Sequence, residues 1–167
     1  MAPDGSAGDE RLKRLLLAGL LTAVSDGLFA TVQSVFFYES TFARLWQGVA
    51  SVLLGPQAFQ GGTRTVVIGL LMHVLVAFTW SAILVFVLLR WAAVRRVLAS
   101  PQGVVKVAAV YGPFIWMVMS LAVIPILLHR PPVINIRWLV QLIGHSPFVG
   151  IPIVWSIGKG AHRCNPA

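Results

Sequence analysis

Acidic side chains are scarce in this chain. Five Asp and Glu stand against 13 Lys and Arg in 167 residues, and charged residues of both signs reach only 11%. An ordinary soluble domain carries roughly 25%, so a water-facing surface of normal extent is excluded. Cysteine occurs once, at Cys164 near the C-terminus, which leaves no internal disulfide framework and no CxxC metal motif. The chain also lacks HExxH, GxSxG and a glycine-rich phosphate loop, the signatures of zinc hydrolysis, serine nucleophiles and nucleotide binding. Without a nucleophile and base set, the reading leans away from an enzyme.

What is abundant is apolar length. Hydrophobic residues make up 57% and the mean hydropathy is +0.84. A helix needs about 20 predominantly apolar residues to cross the hydrocarbon core, and four segments qualify: about 12–37, 64–89, 104–128 and 135–157. The sequence therefore predicts an all-α, polytopic membrane protein with four transmembrane helices in one domain, 11–160, and the lipid bilayer as its main partner. Residues 1–10 read as a disordered tail and 161–167 as a second tail. The basic Arg11, Lys13 and Arg14 before a leucine run also fit a secretory signal with Leu28-Phe29-Ala30 at the cleavage region. The apolar run continues past Ala30 to Phe37, however, which predicts an uncleaved first helix.

Between the first two spans, 42–54 is too short to cross. Phe42, Leu45, Trp46, Val49 and Leu53 keep helical spacing with Arg44, Gln47 and Ser51 between them. This predicts an amphipathic helix lying in the interface, Trp46 at headgroup level and Arg44 on its polar side, ended by Gly55-Pro56; a re-entrant hairpin is the alternative. Pro113 and Pro125 lie inside the third span. Each lacks an N–H, which frees the carbonyls of Ala109 and Leu121 and permits kinks.

The bases sit in short clusters between apolar runs, as topology signals do, so nucleic acid is not an expected partner. Arg11, Lys13, Arg14, Arg90, Arg95, Arg96, Lys106, Lys159 and Arg163 fall on one side, and Arg44, Arg64, Arg130 and Arg137 on the other. Nine against four places both termini in the cytoplasm by the positive-inside rule. Cys164 then lies in a reducing compartment.

Asp26 interrupts the first span, and an ionisable group inside a span is by default a functional hypothesis with a partner to be named. Gly19, Thr22, Asp26, Ala30 and Gln33 recur at steps of three and four and form one small, polar face. Counting about 1.5 Å of rise per residue, Asp26, His73 and His145 all lie roughly 15 Å from the ends of their spans, near the midplane. They form the predicted polar centre, with Gln33, Gln141 and Tyr111 as secondary candidates. A carboxylate beside an imidazole can pass a proton. His73 and His145 could instead ligate a metal or haem iron, with Asp26 as third ligand or as the acceptor orienting an imidazole. The bland alternative is that all three fix packing by interhelical hydrogen bonds of about 0.6–2 kcal/mol.

Ser25-Asp26-Gly27-Leu28-Phe29-Ala30, Gln47-Gly48-Val49-Ala50-Ser51 with Leu54-Gly55 and Gly61-Gly62, His73 with Ala77-Phe78, Tyr111-Gly112 with Met119 and Pro125, and His145 with Gly150-Ile151-Pro152 form a pattern along most of the chain. It resembles small, uncharacterised bacterial four-helix inner-membrane proteins of the YagU-like kind. The resemblance implies a bacterial inner membrane and lends no chemistry. The functional expectation is a small transport, channel-like or proton-relay protein. A haem- or metal-binding redox protein and a non-catalytic subunit of a larger membrane complex are the alternatives. Four helices enclose little volume, so a homo-oligomer or a partner subunit is expected.

Overall fold

The structure is a computed structural model that describes residues 5–158; Cys164, Lys159, Arg163 and the expected tail 161–167 lie outside them. Among the described residues every regular element is helical. α1 runs over Gly5–Val32 and continues as a π-turn over Gln33–Phe37. α2 spans Phe42–Leu54 and α3 Gly62–Phe86. A short α4, Ala92–Leu98, precedes α5, Pro101–Val118. A π-turn over Met119–Val123 joins α5 to α6, Ile124–Leu128. α7, Ile136–His145, continues through a π-turn over Ser146–Gly150 into α8, Ile151–Gly158.

Four of these stretches are long and apolar enough to cross a membrane: Gly8–Phe37, Gly62–Arg90, Pro101–Leu128 and Ile136–Gly158. In the first three only 22% of the most apolar window is buried within the protein, against 44% in the fourth. The fourth stretch is therefore the central one, packed against α1 and α5, and α3 packs on α1 and reaches α8 as well. Most of the Leu, Val and Phe surface of the outer stretches faces outward, as lipid contact requires.

Local chemistry sets the ends. Thr41 accepts from the Arg44 N–H at 3.1 Å, Ser100 from Gly103 at 3.0 Å and Asn135 from Trp138 at 3.0 Å, the side-chain caps that satisfy orphan donors of a first turn. Pro101 follows Ser100 at a helix start, where its missing N–H costs nothing. At the other end of α3, Arg95 donates to the carbonyls of Leu89 and Arg90, both at 2.8 Å. α4 thus closes the connection that the sequence presents as a basic loop. Residues 5–10, read as tail, are helical. Glu10 pairs with Lys13 at 3.5 Å and Arg14 at 3.9 Å one turn on, the spacing that supports an exposed helix.

The apolar core lies toward the α4 end. Leu84, Leu98, Ile153, Val154 and Ile157 are fully buried there, with Ala108 and Ile115 beside them. Buried side chains with amide or imidazole groups, Gln33, Gln47 and His145, lie in the middle and toward the α2 end, and buried hydroxyls are spread along the bundle: Thr22, Ser34, Thr65, Ser81 and Ser156.

Candidate functional site

α1 and α3 approach closely because their facing residues are small. A Cβ on Gly19 would run into the Phe78 ring, and one on Gly27 would touch His73 at 3.4 Å and Trp46 at 3.5 Å. That approach brings Asp26 and His73 together, with Oδ2 of the acid 3.9 Å from Nδ1 of the imidazole. Both side chains are largely buried. The other ring nitrogen, Nε2, lies 3.0 Å from the Ala23 carbonyl. A carbonyl oxygen only accepts, so Nε2 carries the proton. In the neutral ring Nδ1 then faces Oδ2 with a lone pair, and one proton on either atom makes the contact attractive. Asp26 Oδ1 is buried and makes no hydrogen bond within the protein.

Trp46 completes this site from α2. The interfacial expectation put its ring at headgroup level, but it is only 3% exposed and lies edge-on to His73 with centroids 5.1 Å apart. The reason is a backbone contact: Gly69 has no side chain, and the α2 backbone at Trp46 and Ala50 sits directly against it. Of α2, Trp46, Gln47 and Ala50 are buried, while Phe42 and Leu53 at its ends stay exposed. Trp46 Nε1 is buried without a hydrogen-bond partner, so an unpaired donor and an unpaired acceptor, Asp26 Oδ1, flank the same imidazole. Arg44 is exposed, with its guanidinium 5.4 Å above the Phe59 ring.

His145 stands apart from this pair. Its Nδ1 donates to the Gln141 carbonyl at 2.7 Å and its ring lies 4.8 Å from that of Trp116. It shares no hydrogen bond with Asp26 or His73. Gln141 Nε2 donates to Gln33 Oε1 at 2.7 Å, linking α7 to the end of the first stretch. A polar series therefore runs along α1 from Thr22 through Asp26 to Gln33, and crosses to Gln141 and His145. Tyr111 is buried against α3 and donates to the Trp80 carbonyl at 2.8 Å, on the apolar side of the bundle and outside this series.

The same helices are locked on their far side. A Cβ on Gly112 would overlap the His145 carbonyl, and one on Gly150 the Ala108 carbonyl. Ser146 donates to the Ala109 carbonyl at 3.3 Å, the acceptor that Pro113 leaves without its N–H. Phe29 stacks on Phe148 at 4.3 Å. His145 is thus held by backbone contacts on one side and aromatic packing on the other. Among the described residues no group of three His, Cys, Asp or Glu could hold a metal ion. His73 Nε2 is already engaged by Ala23, so His73 and His145 do not present a matched pair of free nitrogens.

Sequence reasoning did not anticipate the contact of Trp46 with His73 or the three π-turns. Trp46 carried a signal, an aromatic on the apolar face of a short helix, that suits docking on protein and on lipid equally. The three π-turns carried only a partial one in their prolines, Pro125 just after the second and Pro147 within the third. No protein-family model, no curated protein and no solved structure matches the chain.

Proposed function

We propose that this chain is a small integral membrane transport protein that relays protons through the Asp26–His73 pair. One observation carries the reading. The Ala23 carbonyl fixes the proton on His73 Nε2, which leaves the 3.9 Å gap between Nδ1 and Asp26 Oδ2 to be bridged by a single proton that either atom can hold. Closing that gap by about 1 Å makes it a hydrogen bond, a change within reach of a side-chain rotation. His145 and the Gln33–Gln141 bridge extend the polar series toward the α2 end. Kinship with YagU-like proteins of bacterial inner membranes, cytoplasmic termini and a homo-oligomer or partner subunit completing the path belong to the same proposal. The accessory-subunit alternative expects no flux from the purified chain alone.

The test is proton flux into liposomes holding a pH-sensitive dye. Wild type should acidify the lumen under an imposed gradient, and Asp26→Asn, which keeps shape and removes the exchangeable site, should lower the rate by about 10-fold or more. Unfolding in detergent checks that the variant is intact. Equal flux from wild type and Asp26→Asn under every gradient applied sinks the proposal.

A further inference from the structure

Between the Met119–Leu128 stretch and the start of α7 lies an open cleft of about 410 Å³, a volume within the range of about 300–1,000 Å³ typical of ligand sites. Its position follows from the helices. Arg130 lies two residues beyond α6, Arg137 sits in the first turn of α7, and Gln141 lies one turn deeper. The cleft therefore has a basic rim at the end of two membrane-length stretches and a wall reaching inward. That wall is aromatic and apolar, formed by Trp116, Trp138, Ile124, Pro125 and Leu128. Its polar atoms are already used among themselves: Trp138 Nε1 donates to Ser120 Oγ at 2.8 Å, Ser120 to the Trp116 carbonyl at 2.6 Å, and Trp116 Nε1 to the Trp138 carbonyl at 3.1 Å. What remains for a guest is ring and aliphatic surface.

The rim has the opposite character. Arg130 and Arg137 are exposed, and among the described residues no carboxylate forms an ion pair with either, Glu39 beside Tyr38 included. The Arg137 guanidinium lies over the Tyr38 ring at 4.1 Å. Stacking occupies the face of the guanidinium and leaves its N–H edge, the part that binds phosphate in a two-pronged way. Two unpaired guanidinia at the mouth of an apolar aromatic wall match an anion that carries a hydrocarbon chain.

We propose that this cleft binds one phosphate-bearing lipid, its headgroup phosphate between Arg130 and Arg137 and one acyl chain along Trp116 and Trp138. A free phosphate would leave the wall unused, and a zwitterionic lipid would bring a cation to the same rim. The site is independent of the Asp26–His73 pair.

Tryptophan quenching by brominated lipids in phosphatidylcholine vesicles reads the site. The relevant signal is the part of the emission lost in Trp138→Phe. Brominated phosphatidic acid should quench it at a mole fraction about tenfold lower than brominated phosphatidylcholine, the scale of two arginines acting on one anionic headgroup. The Arg130→Gln/Arg137→Gln double variant should lose that preference while keeping helix content, and each single variant should lose part of it. Equal quenching by the two lipids in wild type overturns the proposal, as does a preference that survives the double variant. Relief of quenching by millimolar inorganic phosphate would assign the rim to free phosphate and overturn the lipid as occupant.

Discussion

Gly69→Ala on α3 should loosen the protein, and Gly48→Ala on α2 should tighten it, although both add one methyl group to the interior of a helix. A Cβ at Gly69 would overlap the Trp46 carbonyl oxygen, with its carbon 2.8 Å away and the Ala50 nitrogen 3.3 Å away. All three are backbone atoms, so no rotamer change relieves the overlap, and α2 must move by at least about 1 Å to regain contact distance. Overpacking of this kind costs about 1–3 kcal/mol. Alanine in a helix interior returns up to about 1 kcal/mol relative to glycine, so the net loss should be about 1–2 kcal/mol. Gly48 meets nothing within 4 Å, so its substitution keeps only the propensity gain of up to about 1 kcal/mol. Reversible unfolding in mixed micelles measures both, and the two variants should lie on opposite sides of wild type. The imidazole signals of His73 should move in Gly69→Ala, because the Trp46 ring is displaced from its edge-on position, and stay put in Gly48→Ala. A Gly69→Ala protein as stable as wild type with unmoved His73 signals would refute the docking of α2 on α3.

Two further substitutions test the contacts that hold the rest of the site. Ser146→Ala removes the donor to the Ala109 carbonyl and should cost about 0.6–1.7 kcal/mol in unfolding assays. In a Pro113→Ala background that carbonyl regains a helical N–H, and the cost of Ser146→Ala should fall by at least about half. Gln33→Leu and Gln141→Leu each strand the other amide, so a double-mutant cycle should return a favourable coupling of about 0.6 kcal/mol; a coupling of zero would mean that the 2.7 Å bond does not hold α7 to α1.

The four membrane-length stretches were legible because hydrophobic length acts locally, and the expected spans begin and end within a few residues of Gly8–Phe37, Gly62–Arg90, Pro101–Leu128 and Ile136–Gly158. Rise per residue is nearly constant, and counting it put Asp26 and His73 on one level; the two side chains lie 3.9 Å apart. Direction around the helix axis was not. His145 shares the counted depth but turns toward Trp116 and the Gln141 carbonyl, and the π-turn that begins at Ser146 resets the register of the residues after it. Each π-turn is closed by a bond five residues back, from Tyr38 to Gln33, Ile124 to Met119 and Ile151 to Ser146. A 3.6-residue period cannot anticipate such resets. The placement of Trp46 was equally hidden. An apolar helical face has the same spacing whether it meets lipid or α3, and the deciding feature, the bare backbone at Gly69, sits twenty-three residues away.

A relay through Asp26 also needs a way past the apolar core at the α4 end, where Leu84, Leu98, Ile153 and Ile157 leave almost no polar surface. Two buried hydroxyls there make no hydrogen bond: Thr22 Oγ1, one turn before Asp26 on α1, and Ser156 Oγ on α8. α1 and α8 pack against each other. A hydroxyl both donates and accepts and turns freely, which is what a relay step requires and what a purely structural role does not use. The two roles predict opposite outcomes for Thr22→Val and Ser156→Ala. Removing an unpaired buried hydroxyl should leave stability unchanged or raise it by up to about 1 kcal/mol. If the hydroxyls carry the proton, liposome flux should fall in both variants while unfolding is no easier. Stable variants with full flux would take Thr22 and Ser156 out of the path and leave the Asp26–His73 pair open to the α2 end alone.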